Sequence, residues 1–149
     1  MSLRTVLRGG FGLVMAPDEA FPLFTALGEK EWVPGWDPEL VFPASGELEQ
    51  DQVFLTGEGD EKTFWYVSQV DFKSHRVDYI RNTPTSRVAR VHVEVHPDGT
   101  GSKVDVTYVW TALSESGARE IEAAAAGYEA MMGEWKRLVD QRFGSLATL

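Results

Sequence analysis

The stretch that most constrains this chain runs from Arg87 to Ala112. Between Arg87 and His96, Val91, Val93 and Val95 fall on one side of a two-residue alternation, and Arg90, His92, Glu94 and His96 on the other. Pro97-Asp98-Gly99-Thr100-Gly101 follows, a cluster of residue types that supply turn geometry. Lys103–Ala112 alternates again, with Val104, Val106, Tyr108 and Trp110 opposite Asp105, Thr107, Val109 and Thr111. A period of two means strands, and a short turn between strands means antiparallel pairing. One apolar and one polar face means a sheet covered on one side. The chain must therefore supply something large enough to cover the apolar face.

The C-terminal segment does so. Ile121, Ala124, Ala125, Tyr128, Met131, Met132, Trp135, Leu138 and Val139 share one helical stripe, while Glu122, Glu129, Arg137 and Asp140 fall opposite. Ser114 or Ser116 is a candidate N-cap, and Gly144 is placed to end the helix. The pattern predicts one helix of about 25 residues, or near 38 Å at ~1.5 Å per residue.

The remaining elements are shorter. Thr5–Met15 reads as a strand kinked at Gly9-Gly10, where a bulge would suffice. Pro17 opens a short helix that carries Phe21, Phe24 and Leu27 and ends at Gly28. A second short helix or turn spans Glu29–Val33 and is broken by Pro34-Gly35, with Trp32 and Trp36 on either side of the break. Leu40–Phe42, Gln52–Thr56, Lys62–Phe72 and Arg76–Asn82 read as strands. The inward face of residues 62–82 stays open, because apolar residues occupy both alternation sets. A homodimer packed sheet to sheet would explain that.

Composition narrows the classes. A chain of 149 residues suits one domain over 1–149, and a domain of that size buries roughly 68–70% of its unfolded surface. Cysteine is absent, which removes disulfides and thiolate chemistry and suits a cytoplasmic location. Net charge is −9, and residues 1–62 hold 12 acids against 4 bases. An acidic surface repels phosphate backbones and anionic lipid, so nucleic acid is not an expected partner. No apolar run is long enough for a membrane span, and the N-terminus lacks the pattern of a signal peptide.

The order is strand, two short helices, further antiparallel strands, then one long helix. A strongly twisted sheet curls around such a helix. This order, the Trp32–Trp36 loop, the run RVARVHVEVHPDGTGSKVDVTYVWTALSESG and the closing YEAMMGEWKRLVDQRF resemble the SRPBCC or START-like superfamily. The likeness is greatest to its polyketide cyclase/dehydrase branch. The resemblance implies an α+β helix-grip fold: a curved antiparallel sheet of about six to seven strands around a long C-terminal helix. It also implies a cavity between the two. It does not fix function, because the superfamily includes lipid carriers, cyclases, hormone receptors, allergens and co-chaperones.

Candidate ligand-binding residues are Trp32, Trp36, Trp65, Tyr66, Tyr79, Arg81, Tyr108, Trp110, Tyr128, Met131, Met132 and Trp135. Aromatic walls with a few polar tips suit a small-molecule pocket, and Ala123–Ala126 thin the helix beside them. A filled core competes with this reading. Arg81 alternates with Val77 and Tyr79. If turned inward it marks a site for a ligand carboxylate, phosphate or enolate, or a buried carboxylate partner, and if turned outward near the strand end it reaches solvent.

Three functions follow as expectations. The first is binding or carriage of a hydrophobic small molecule such as a lipid, quinone, polyketide or aromatic metabolite. The second is a cyclase, aromatase or dehydratase using the same cavity, with Tyr79, Arg81 or Tyr108 polarising a carbonyl. The third is a co-chaperone-like interaction module.

Other patterns carry no chemistry. On a strand, His92 and His96 stand about 13 Å apart at ~3.3 Å per residue, too far to share a metal. His75 lies in a turn with no evident partner. Gly9-Gly10-Phe11-Gly12 lacks the spacing of a phosphate loop. The acids from Glu47 to Glu61 lack the spacing of a calcium loop. No metal and no cofactor is expected.

Overall fold

The structure, a computed structural model, describes residues 3–144. Seven strands form one antiparallel sheet: β1 (Arg4–Leu13), β2 (Glu39–Phe42), β3 (Val53–Thr56), β4 (Thr63–Asp71), β5 (Arg76–Thr83), β6 (Arg87–Asp98) and β7 (Gly101–Ala112). Their order in the sheet is β1-β7-β6-β5-β4-β3-β2. Consecutive strands are therefore neighbours from β2 to β7, and β1 closes the far edge against β7. A short helix α1 (Pro17–Ala20) and 3-10 turns at Phe21–Phe24 and Gly28–Glu31 follow β1. This is the helix-grip arrangement expected from the sequence.

The β6–β7 hairpin turns at Gly99, whose φ of +61° is left-handed and suits glycine. Its alternation is realised in full. Val91, Val93, Val95, Val104, Val106, Tyr108 and Trp110 are buried on the concave face. His92, Glu94, His96 and Asp105 lie on the convex face, where they join in a chain of carboxylate–imidazole contacts with Asp78.

The long helix covers the concave face but is interrupted. α2 (Glu115–Ala126) ends at Gly127, where ψ is 7°, and α3 (Tyr128–Phe143) continues beyond it. The expectation of one unbroken helix is thus corrected. Ser114 caps α2 by accepting from the Gly117 amide at 3.1 Å. Gly144 ends α3 with a φ of +99°.

β1 is not kinked at its glycines, since it pairs with β7 in unbroken register from Arg4 to Leu13. The glycines serve close approach instead. A Cβ on Gly9 would sit 3.0 Å from both Met132 Cγ and Tyr128 Cε2, so its absence lets α3 settle on the strand. On Gly10 it would meet the Val104 carbonyl oxygen at 2.1 Å.

β4 carries the irregularity that hid the inward face of residues 62–82. Val67 pairs with Tyr79, but Gln69 pairs with Asp78, so Ser68 is an extra residue. Inward residues change from odd numbers (Trp65, Val67) to even (Val70) across this bulge. His75 is not without a partner, because its Nε2 lies 2.6 Å from Asp18 Oδ1.

Candidate functional site

The concave face is ordered by register. One row across the sheet runs Phe54–Trp65–Arg81–Ala89–Trp110, and the next runs Val67–Tyr79–Val91–Tyr108–Leu7. Arg81 therefore points inward. Its guanidinium carbon stands 5.0 Å from the Trp65 ring centroid and 5.1 Å from that of Trp110. Both indoles offer cation–π contact. Its Nε is buried with no hydrogen-bond partner. Desolvation pulls Arg81 below the ordinary arginine range, while the Tyr108 phenol beside it acts in the opposite sense.

In front of Arg81 lies a cavity of about 360 Å³ between α2, α3 and the sheet. Arg81, Tyr108, Trp110, Tyr128 and Met131 line it, as do Arg87, Glu120, Ala123 and Ala124. The alanines leave the space that larger side chains on α2 would fill. Arg87 is held by Glu61, with Nη2 2.8 Å from Oε1, and donates to Ser86 Oγ at 2.9 Å. Arg87 therefore has its carboxylate in contact, whereas Arg81 makes no close ion pair among the described residues and feels Glu61 only at longer range. The Tyr128 hydroxyl donates to the Val106 carbonyl at 2.6 Å, which fixes the ring, and burial pushes its phenol up. Burial also pushes Tyr108 up to about 12, against the pull of Arg81.

Tyr108 is shared with a second, inner chamber of about 20 Å³, lined by Phe24, Glu29, Trp65, Tyr79, Val91, Val93 and Trp135 as well. Tyr79 donates to the Phe24 carbonyl at 2.9 Å. Glu29 is half-buried and lines this chamber, and desolvation pushes its carboxyl up to about 8.

Four sequence candidates fall outside both spaces. Trp32 is buried against Phe24 and Trp135, and its indole donates to the Leu23 carbonyl at 2.8 Å. Trp36 donates to the Ala26 carbonyl and packs on Phe54 and Trp65. These two tryptophans fasten the early loop to the core. Met132 sits between β1 and α3, against Gly9. Tyr66 is corrected outright: it lies on the convex face, 41% exposed, hydrogen-bonded to Asp51.

Sequence reasoning missed Arg87, Glu120 and Glu29. Arg87 shares the alternation of Val91 and Val93, so its inward direction was readable. Nothing in a short 3-10 turn signals the direction of Glu29. Among the described residues, no cluster suited to a metal occurs and no helix is long and apolar enough to cross a membrane.

No family model matches the chain, and no curated protein matches it in sequence. Solved structures do match. Norcoclaurine synthase from Thalictrum flavum, in complex with dopamine and hydroxybenzaldehyde, superposes with a TM-score of 0.66 at 11% identity, covering 94% of this chain and 88% of that one. Mll3558 from Rhizobium loti gives 0.62 at 16% identity, covering 90% and 99%. DynU16, from the dynemicin biosynthetic locus, gives 0.65 at 14% identity, covering 94% of this chain and 50% of DynU16. The chain thus has the fold of the SRPBCC, or START-like, helix-grip proteins.

Proposed function

We propose that this protein binds a hydrophobic small molecule bearing one anionic or strongly polar oxygen group. The cavity in front of Arg81 takes the apolar body, and Arg81 takes the polar end. The observation that carries this reading is the Arg81 guanidinium held between Trp65 and Trp110, with its Nε buried and without a hydrogen-bond partner. A partly desolvated guanidinium whose Nε–H has no acceptor is costly unless a ligand completes it. The aromatic and alanine walls favour a flat or chain-like apolar body. Norcoclaurine synthase, seen with dopamine and hydroxybenzaldehyde, supports small aromatic compounds as the ligand class.

A second reading is an enzyme of the cyclase or dehydratase kind. It draws on the pairing of Arg81 with the Tyr108 phenol, two polar groups that converge on one space. Turnover of a polyketide-like carbonyl compound separates it from carriage.

The test is native mass spectrometry of the purified protein, with extraction of whatever it retains. The expected result is an acidic or carbonyl-bearing hydrophobe, or a rise in thermal stability with such compounds. A clean apo mass, together with no thermal shift from a panel of lipids, quinones, aromatic carboxylates and polyketides, refutes the reading.

A further inference from the structure

The convex face of the sheet, turned away from the cavity, carries an apolar band that nothing in the fold covers. β4 sends Phe64 and Tyr66 outward, opposite to Trp65 and Val67. Register extends that side across the sheet. Val53, Tyr66, Ile80, Arg90 and Val109 form one row, and Leu55, Phe64, Asn82 and Val88 the next. Phe42 ends the first row at the β2 edge. Phe42 is 50% exposed, Phe64 48% and Tyr66 41%, and the aliphatic members are half-buried. This outward apolar set is what left the inward face of residues 62–82 ambiguous in the sequence. At roughly 200 Å² per aromatic residue, the three rings leave about 280 Å² uncovered. With the aliphatics the band reaches on the order of 500 Å², at the upper end of what monomers leave open. Two such bands face to face bury about 1,000 Å² in total, the size of a reversible interface.

Charge and symmetry identify the occupant. β5 is the fourth of the seven strands in the sheet, so a two-fold axis running along it exchanges β4 with β6. Ile80 then meets Ile80 of a second copy, Phe64 meets Val88, and Tyr66 meets Arg90. Stacked sheets keep their strands within about 30° of each other, so rows on the central strands retain these neighbours. Arg90 suits the place. Its side chain is 49% exposed, and its contact with Asp78 is a loose 3.8 Å. Tyr66 offers it a ring face, and the Tyr66 hydroxyl donates to Asp51, which sets a carboxylate beside that ring. An axis at right angles to the strands would instead lay Arg90 on Arg90, a like-charge contact that costs binding. A net charge of −9 turns the band away from anionic lipid.

We propose that the apolar band of the convex face is the contact of a reversible homodimer, two sheets stacked about a two-fold axis along β5. The helices and the Arg81 cavity stay on the outer side of each copy, so the interface forms with or without ligand.

The test is sedimentation velocity from about 1 to 300 µM, the range that separates a micromolar dimer from a monomer. It is run on the wild type, Ile80→Lys, Tyr66→Arg and the double variant Tyr66→Arg with Arg90→Glu, with circular dichroism to verify that each is folded. The wild type is expected to move from 16.6 kDa to twice that mass as concentration rises. Ile80→Lys places like charges on the axis and Tyr66→Arg places arginine on arginine, so both should stay monomeric throughout. The double variant restores an opposite pair across the axis and should dimerise again. Phe64→Asp, at a half-exposed position, takes the place of Ile80→Lys if that variant does not fold. A wild type that is monomeric at the highest concentration overturns the inference, as does a dimer that survives Ile80→Lys or Phe64→Asp. A double variant that stays monomeric overturns the two-fold along β5.

Discussion

Replacing Arg81 by methionine removes a charge that the fold itself does not need, so the variant should be more stable and should lose its anion site. Moving a guanidinium out of water costs several kcal/mol even after relaxation, about 4 as a working figure. The contacts at 5.0 and 5.1 Å to Trp65 and Trp110 return part of that cost. At about 1–1.5 kcal/mol each they leave a deficit of roughly 1–2 kcal/mol. Methionine is unbranched, reaches as far as the arginine Nε, and can make favourable sulfur–aromatic contacts with the same two rings. The expected gain is about 1–2 kcal/mol in urea unfolding, or roughly 2–8 °C in Tm for a chain of this size. Circular dichroism in urea, with calorimetry alongside, measures both. A loss of more than about 1 kcal/mol would refute the reasoning. Arg81 would then be a structural group satisfied by its indoles, with no call for a ligand.

Three further outcomes follow from the same geometry. Glu29 has a folded pKa near 8 against an ordinary value of 4.5, so the folded state binds its proton more tightly. Stability is therefore full below about pH 4.5 and is lost as pH rises towards 8, by a few kcal/mol at most. Unfolding of Glu29→Gln measured across that window should lack this slope, and an unchanged slope would place the titrating group elsewhere. Gly9→Val should cost about 1–3 kcal/mol in urea unfolding, because its side chain enters the contact with Met132 and Tyr128. A neutral effect would mean α3 is free to lift from β1. Glu61→Gln should strengthen anion binding several-fold in a calorimetric titration, because Arg87 at the cavity then loses its counter-ion. Unchanged affinity would exclude Arg87 from the field that the ligand feels.

How much could be read before the fold was known depended on how regular each segment is. β6 and β7 alternate without interruption, so the direction of Tyr108 and Trp110 followed from the sequence. The stripe from Ile121 to Val139 likewise announced a helix long enough to cover the sheet. Ala123–Ala126 carried no mark of the break at Gly127, because alanine and a single glycine are compatible with a continuous helix. The face of Tyr66 was hidden by Ser68, whose bulge changes the parity of inward residues within one strand. Without the register against β5, odd and even positions there look alike. The tryptophans of the early loop looked like pocket residues, yet Trp32 and Trp36 spend their indole N–H groups on the Leu23 and Ala26 carbonyls. That difference lies in which carbonyl each ring can reach, a tertiary fact. Glu29 belongs to the same kind: a four-residue 3-10 turn has no periodicity from which to read an inward direction.

The most direct test of the account compares two ligands of the same shape and different charge. Isothermal titration of naphthalene-2-carboxylate and its neutral primary amide, on the wild type and Arg81→Met near pH 6.5, isolates the contribution of the guanidinium. The account predicts that the wild type favours the carboxylate by at least about tenfold and that Arg81→Met abolishes the preference, since a charge-assisted pair at a buried site is worth about 1.5–3 kcal/mol. Equal affinities in the wild type, or a preference that survives in Arg81→Met, would contradict it.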